Sequence, residues 1–410
     1  MPTAREMSHR SLLIVLCSLA AASIAGCAAA PLSRYRGPHT DHFDGKRFHN
    51  IEPFQEQLVQ DVLRWQLGRS KASWRYANTP RGEPPPARVT GGAIRVTFIN
   101  HATVLIQMDS LNILTDPVYS ERVGPAPWLG PARHRPVGIR FDDLPRVDVV
   151  LLSHDHYDHL DIPTLRRLER TFHPRIITGL GNGALLRSAG IGGSEELDWW
   201  KSAPIAPGVR VTAVPTQHWS GRTLTDHCRT LWAGFVIEGR ADTVLFAGDT
   251  GWGRFYEMIH RRYGSFRLAL LPIAPFRPYW YMHRKHQSPA DAVHAAQVLH
   301  AATSIPIHWG TFELGDDGQH EAVDSLVATL AELPPLCRPE FLVPWNGQSV
   351  MVPPTGDPDR LMSAADSSCT PPASEVRRRV AATLEAGRSH QVPSGLRGSV
   401  MRVGASAREH

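Results

Sequence analysis

Between residues 94 and 353 the chain alternates short apolar runs with turn signals and with segments of helical period. The runs Ile94 to Ile99, Val104 to Met108, Asn112 to Thr115 and Val147 to Leu152 read as strands. The last is apolar at successive positions, which predicts burial on both faces. Helical spacing covers Ile162 to Thr171 and Gly183 to Ala189, with a strand at Arg175 to Thr178 between them. Strands follow at Val209 to Val214, Leu231 to Glu238 and Thr243 to Ala247, then a helix at Gly253 to Tyr263 and a strand at Leu268 to Ile273. Ser288-Pro289, an N-cap and first-turn pair, opens a helix to about Ala302. Strand Ser304 to Ile307, helix Glu321 to Leu333 and strands near Phe341 and Ser349 close the series. Strand clusters at both ends with helices interspersed predict an α/β fold in which two sheets pack face to face with helices outside, an αββα four-layer sandwich.

That domain, residues 91–353, has three flanking segments. Residues 1–27 read as an export signal: Arg5 and Arg10 precede the apolar run Ser11 to Ala20, which is short for a membrane span. The run ends at Ile24-Ala25-Gly26-Cys27, which resembles the lipobox of bacterial lipoproteins. Lipidation of Cys27 would anchor the chain to a membrane surface on the periplasmic side of the bacterial cell envelope. Residues 28–90 are rich in Pro, Arg and His and read as an N-terminal arm with an amphipathic helix near Phe54 to Leu67. Residues 354–410 turn to Ser, Pro, Gly and Arg and predict a largely disordered tail, with at most a helix around Glu375 to Leu384.

Composition changes this picture at one point. The 410 residues carry 44 basic and 39 acidic side chains, a mild excess that calls for no nucleic acid. Histidine is unusual at 21 residues, and with only 5 Cys the chain points to imidazole and carboxylate metal chemistry rather than a disulfide scaffold. Removing Cys17 with the signal and lipidating Cys27 leaves Cys228, Cys337 and Cys369, an odd number.

The histidines cluster where the strands end. His154, His156, Asp158 and His159 fall within six residues after Val149-Val150-Leu151-Leu152. A turn there lets neighbouring side chains converge, and three imidazoles with a carboxylate suit zinc. His218, Asp249 and His308 each follow an apolar strand closely, and sites in α/β sheets gather at carboxyl ends of strands. Five His and two Asp form the complement for two Zn2+, or another divalent transition metal, sharing a carboxylate. Gly248 and Gly251 flank Asp249 and allow close backbone approach.

The order H-x-H-x-D-H, then H, D and H, resembles the metallo-β-lactamase superfamily. The resemblance implies that His154, His156 and His218 hold one metal, that Asp158, His159 and His308 hold a second, and that Asp249 bridges both. Closer blocks, Asn100-His101-Ala102-Thr103, Thr115-Asp116-Pro117, Leu197-Asp198-Trp199-Trp200 and His308-Trp309-Gly310-Thr311-Phe312, are similar to the N-acylphosphatidylethanolamine-hydrolysing phospholipase D family. That likeness implies a phosphodiesterase of phospholipase D type that takes a phospholipid and releases N-acylethanolamine and phosphatidic acid. It gives Asp158 a second role in orienting the attacking water, makes Asp249 part of the catalytic set, and places His286 of Lys285-His286-Gln287 on the substrate side, not among the ligands. A lactonase or other small-molecule ester hydrolase would use the same ligands, and a non-catalytic lipid- or metal-binding lipoprotein is the alternative without chemistry. The aromatic run Phe276 to Met282 suits either an acyl-chain groove or an internal cover.

Overall fold

In the computed structural model, which describes residues 35–53, 59–240, 242–355 and 401–403, two mixed sheets face each other. The first holds β1 (Ile94–Asn100), β2 (Thr103–Met108), β3 (Leu111–Thr115), β4 (Val149–Leu152), β5 (Arg175–Gly179), β6 (Ser194–Leu197) and β14 (Ser349–Val352), in the order β14-β1-β2-β3-β4-β5-β6. The second holds β7 (Ser202–Ala206), β8 (Val209–Val214), β9 (Gly234–Glu238), β10 (Thr243–Phe246), β11 (Leu268–Pro272), β12 (Ser304–Ile307), β13 (Phe341–Val343) and β15 (Met401–Val403), in the order β15-β13-β12-β11-β10-β9-β8-β7. Helices α1 (Val59–Leu67), α2 (Ile162–Phe172), α3 (Asn182–Ser188), α4 (Phe255–Tyr263), α5 (Tyr279–Met282), α6 (Pro289–Val298) and α7 (Glu321–Glu332) are the α-helices of the described residues, with short 3-10 turns at Phe141–Asp143 and Pro335–Cys337. Among the described residues no helix is long and apolar enough to cross a membrane.

Strand periodicity explains the layers. Val149 and Leu151 enter the core between the sheets, while Val150 and Leu152 enter a second core with Leu165 and Leu168 of α2. An uninterrupted apolar run is what a strand with a core on each face requires. Ser288 caps α6 as expected: its Oγ accepts from Asp291 N at 3.2 Å, and Asp291 Oδ2 accepts from Ser288 N at 2.9 Å. The helix stops at Val298 rather than Ala302.

Three features go beyond the sequence expectation. β6 and β7 carry no clear apolar run, and neighbouring strands alone reveal them. The N-terminal arm packs onto the domain where it is described, with Phe43 and Phe48 in the inter-sheet core. His42 stacks on Trp199 at 4.5 Å and bonds Asp198 through Nε2 at 2.7 Å. Within the tail, Met401–Val403 pairs antiparallel with β13. The signal segment through Cys27, the start of the Phe54 to Leu67 helix, Cys369 and the Glu375 to Leu384 helix lie outside the described residues.

Candidate metal centre

β4 ends at Leu152, and the loop behind it is fastened by a carboxylate from the neighbouring strand. Buried Asp116, just past β3, accepts from Ser153 N at 2.7 Å and Ser153 Oγ at 2.6 Å, and its Oδ2 lies 2.6 Å from His159 Nδ1. A carboxylate on Nδ1 fixes the proton there and leaves the Nε2 lone pair facing inward. Ser153 Oγ at 2.9 Å from His154 Nδ1 and the Lys285 carbonyl at 2.8 Å from His218 Nδ1 orient those two rings in the same sense. Asn50 grips the backbone of His218 from both sides, donating to its carbonyl at 2.8 Å and accepting from its N–H at 3.0 Å. At Gly248, φ is +65°, and a Cβ would stand 2.7 Å from that of Ser153, so the tight passage before Asp249 requires glycine.

The inward atoms meet in two groups. His156 Nδ1 lies 2.7 Å from His154 Nε2 and 3.3 Å from His218 Nε2. Asp158 Oδ2 lies 3.5 Å from both His159 Nε2 and His308 Nε2, which are 3.1 Å apart. Asp249 Oδ2 sits between the groups, 3.5 Å from His218 Nε2, 3.3 Å from His308 Nε2 and 3.8 Å from His159 Nε2. The structure therefore brings all seven sequence-named ligand residues together. His286 joins them, with Nδ1 2.9 Å from Asp249 Oδ1, against the other oxygen of that carboxylate. It is 16 % exposed, on the open side with Asp158 at 14 %.

Electrostatics favour a cation here. Burial, reinforced by adjacent imidazoles, holds His154 and His156 well below the usual range, so their lone pairs are free. Burial takes His218 down to about 3. Asp249 stays ionised despite burial, because His286, His308 and His218 surround it. Burial opposes charge on His308, but Asp249 and Asp158 outweigh it and push that imidazole up to about 9. Two buried carboxylates thus draw positive charge to one point, and five imidazole nitrogens beside them form a donor set that fits zinc or a similar divalent ion.

The aromatic run divides its roles. Phe276 and Met282 are buried cover, whereas Trp280 is 39 % exposed. Tyr281 stacks on Trp65 of α1 at 4.6 Å, and the Arg64 guanidinium lies 4.7 Å from the Trp280 ring. Sequence reasoning gave no role to Asn50, Asp116 or His101. Asp116 and His101 sat inside recognised blocks, while Asn50, far away in sequence, gave no signal. His101 Nε2 lies 3.1 Å from Asp158 Oδ2, and burial, aided by His308, takes its pKa down to about 3.

Residues 111–309 match the Beta-lactamase superfamily domain. An uncharacterised protein of Mycobacterium tuberculosis is 36 % identical over 349 residues, covering 82 % of this chain and 90 % of that one. The N-acyl-phosphatidylethanolamine-hydrolyzing phospholipase D 1 of Caenorhabditis elegans is 36 % identical over 230 residues, 53 % of this chain and 64 % of the nematode protein. Among solved structures, a possible metal-dependent hydrolase from Veillonella parvula shares the fold at TM-score 0.50 and 17 % identity, covering 63 % of this chain and 99 % of its own. The chain belongs to the metallo-β-lactamase superfamily and is a metal-dependent hydrolase.

Proposed function

We propose that this hydrolase is a phosphodiesterase of phospholipase D type, acting on N-acylphosphatidylethanolamine-like lipids with two zinc ions. The position of Asp249 Oδ2 between the two imidazole groups is the observation that carries the dinuclear reading. His154, His156 and His218 would hold one ion, Asp158, His159 and His308 the other, with Asp249 shared. Bound there, the ions supply Lewis acidity and lower the pKa of water. Asp158, partly open to the mouth, orients the attacking water toward phosphorus. The P–O bond to the ethanolamine oxygen breaks, leaving phosphatidic acid. His286, anchored by Nδ1 to Asp249, presents Nε2 to give the departing alcohol its proton. The nematode relative's name supports this substrate class. Purified protein incubated with a glycerophospholipid panel and a lactone panel tests it by product analysis. N-acylethanolamine release is expected; turnover of lactones alone would replace the lipid reading with that of an ester hydrolase.

The proposal extends to location: a lipoprotein anchored through Cys27 on the periplasmic side, meeting its phospholipid at the membrane surface. The lipobox-like Ile24-Ala25-Gly26-Cys27 supports it. Cys27→Ala should move the protein from the membrane fraction to the soluble one with its lipid hydrolysis retained. A wild-type protein found free of membranes with its N-terminal segment attached would refute the anchor.

A further inference from the structure

His101 belongs to neither group of predicted ligands, yet its ring is buried in the centre, 1 % exposed. It occupies the β1–β2 turn with φ +45°, a left-handed conformation that His, like Asn and Asp, adopts more readily than most non-glycine residues. Three contacts hold it there. Its N–H donates to Thr311 Oγ1 at 3.1 Å, its carbonyl accepts from His308 N at 2.8 Å, and its ring centroid lies 3.8 Å from that of His308. Thr311 is itself fixed by Arg135, whose Nε donates to the hydroxyl at 3.3 Å and whose Nη2 donates to the Trp309 carbonyl at 2.7 Å. A chain of bonds therefore runs from buried Arg135 through Thr311 to His101, and from there to both sides of the second metal position.

The tautomer follows from the partner. Asp158 Oδ2 can only accept, and at 3.1 Å it stands closer to His101 Nε2 than the 3.5 Å to the His159 and His308 rings, so the geometry favours a hydrogen on Nε2. The alternative tautomer would set a lone pair against a carboxylate and leave the hydrogen on Nδ1, which is buried with no acceptor among the described residues. A nitrogen that donates to Asp158 has no lone pair left for a metal. The contact also fixes which carboxylate oxygen turns toward His159 and His308, since the same Oδ2 faces all three rings.

We propose that His101 is a positioning residue for the second metal: through Nε2–H it aims the Asp158 carboxylate, and through its backbone carbonyl it holds His308. This rests on the dinuclear reading above. The test measures zinc binding by titration of metal-free full-length protein, with elemental analysis after gel filtration. His101→Asn suits the left-handed backbone but carries its amide nitrogen short of Asp158; His101→Gln places an N–H close to where Nε2 stood. The Asn variant is expected to keep the first zinc and weaken the second by roughly 10- to 100-fold, as loss of an outer-sphere partner does. The Gln variant should recover most of that affinity, because it restores a donor to Asp158. Should the Asn variant fail to fold, His101→Gly, which also accepts the backbone angle, is expected to show the same selective loss. Unchanged second-zinc affinity in the Asn or Gly variant overturns the proposal, and so does a Gln variant as weak as Asn, because His101 would then act as a ligand. A wild-type protein that takes up one zinc overturns the dinuclear reading instead, so the two failures are separable.

Discussion

Asp249 faces both groups of imidazoles with one oxygen and His286 with the other, so removing it disturbs more of the centre than any single histidine. Asp249→Ala is expected to abolish activity and to lower the metal content, because on the proposed reading this carboxylate is shared by both positions, and its loss also leaves buried cationic groups uncompensated. Elemental analysis checks this, and full metal content in the variant would contradict the shared role. His286 makes a different prediction. It touches Asp249 but lies outside the seven-residue set, so His286→Ala should lower kcat by roughly 10²–10⁴-fold, the usual contribution of a positioned acid or base. Metal content should be preserved. A variant that loses its metal would instead make His286 a ligand.

The segments that shape the mouth depend on contacts between elements. Asp317 is buried beneath the aromatic run, and its Oδ1 accepts from Phe276 N at 3.3 Å and Arg277 N at 3.5 Å. Burial pushes its carboxyl from 3.8 up to about 7, against those backbone donors and with the Glu321 charge adding. An acid whose pKa is higher folded than unfolded binds its proton more tightly in the folded state. Its contribution therefore favours folding at low pH and declines as pH rises from about 4 to about 7, the interval between the two pKa values. Asp317→Asn keeps an acceptor for the two N–H groups and removes the ionisation. The variant should gain stability relative to wild type as pH rises through that window, by at most about 4 kcal/mol at three pKa units. Thermal midpoints at pH 5 and pH 8 check it, and equal shifts in both proteins would refute it. At the same scale, Phe43 and Phe48 in the core and Asn50 on His218 make the segment before the domain part of the site's frame.

Across the whole molecule, the two sheets supply different ligands. The loop after β4 in the first sheet gives His154, His156, Asp158 and His159, while the ends of β8, β10 and β12 in the second give His218, Asp249 and His308. On the proposed dinuclear reading, metal held among them would tie one sheet to the other and link its binding to folding of the entire sandwich. Stripping the metal with a chelator should lower the thermal midpoint by roughly 5–15 °C, on the scale of several kcal/mol of linkage for a chain of this size, with recovery on adding zinc. An unchanged midpoint after complete removal, confirmed by elemental analysis, would argue that the sheets hold their register without it.

The chain's local pattern determined the strands with strong apolar runs, the Ser288 cap and the seven candidate ligand positions, because each is a signal confined to a few adjacent residues. Strand ends followed within a few residues by His or Asp point those side chains to one edge before any pairing is known. Packing alone decided the rest. β6 and β7 are strands because neighbours complete them, and Met401–Val403 becomes an edge strand by pairing with β13 across a long sequence separation. Asn50, Asp116 and His101 act on atoms brought close only by the fold: Asn50 and His218 stand 168 positions apart, and His101 and Asp158 stand 57 apart. A ligand type can be read from residue chemistry and a nearby strand, but the partner that orients it is chosen by three-dimensional proximity, which no local pattern encodes.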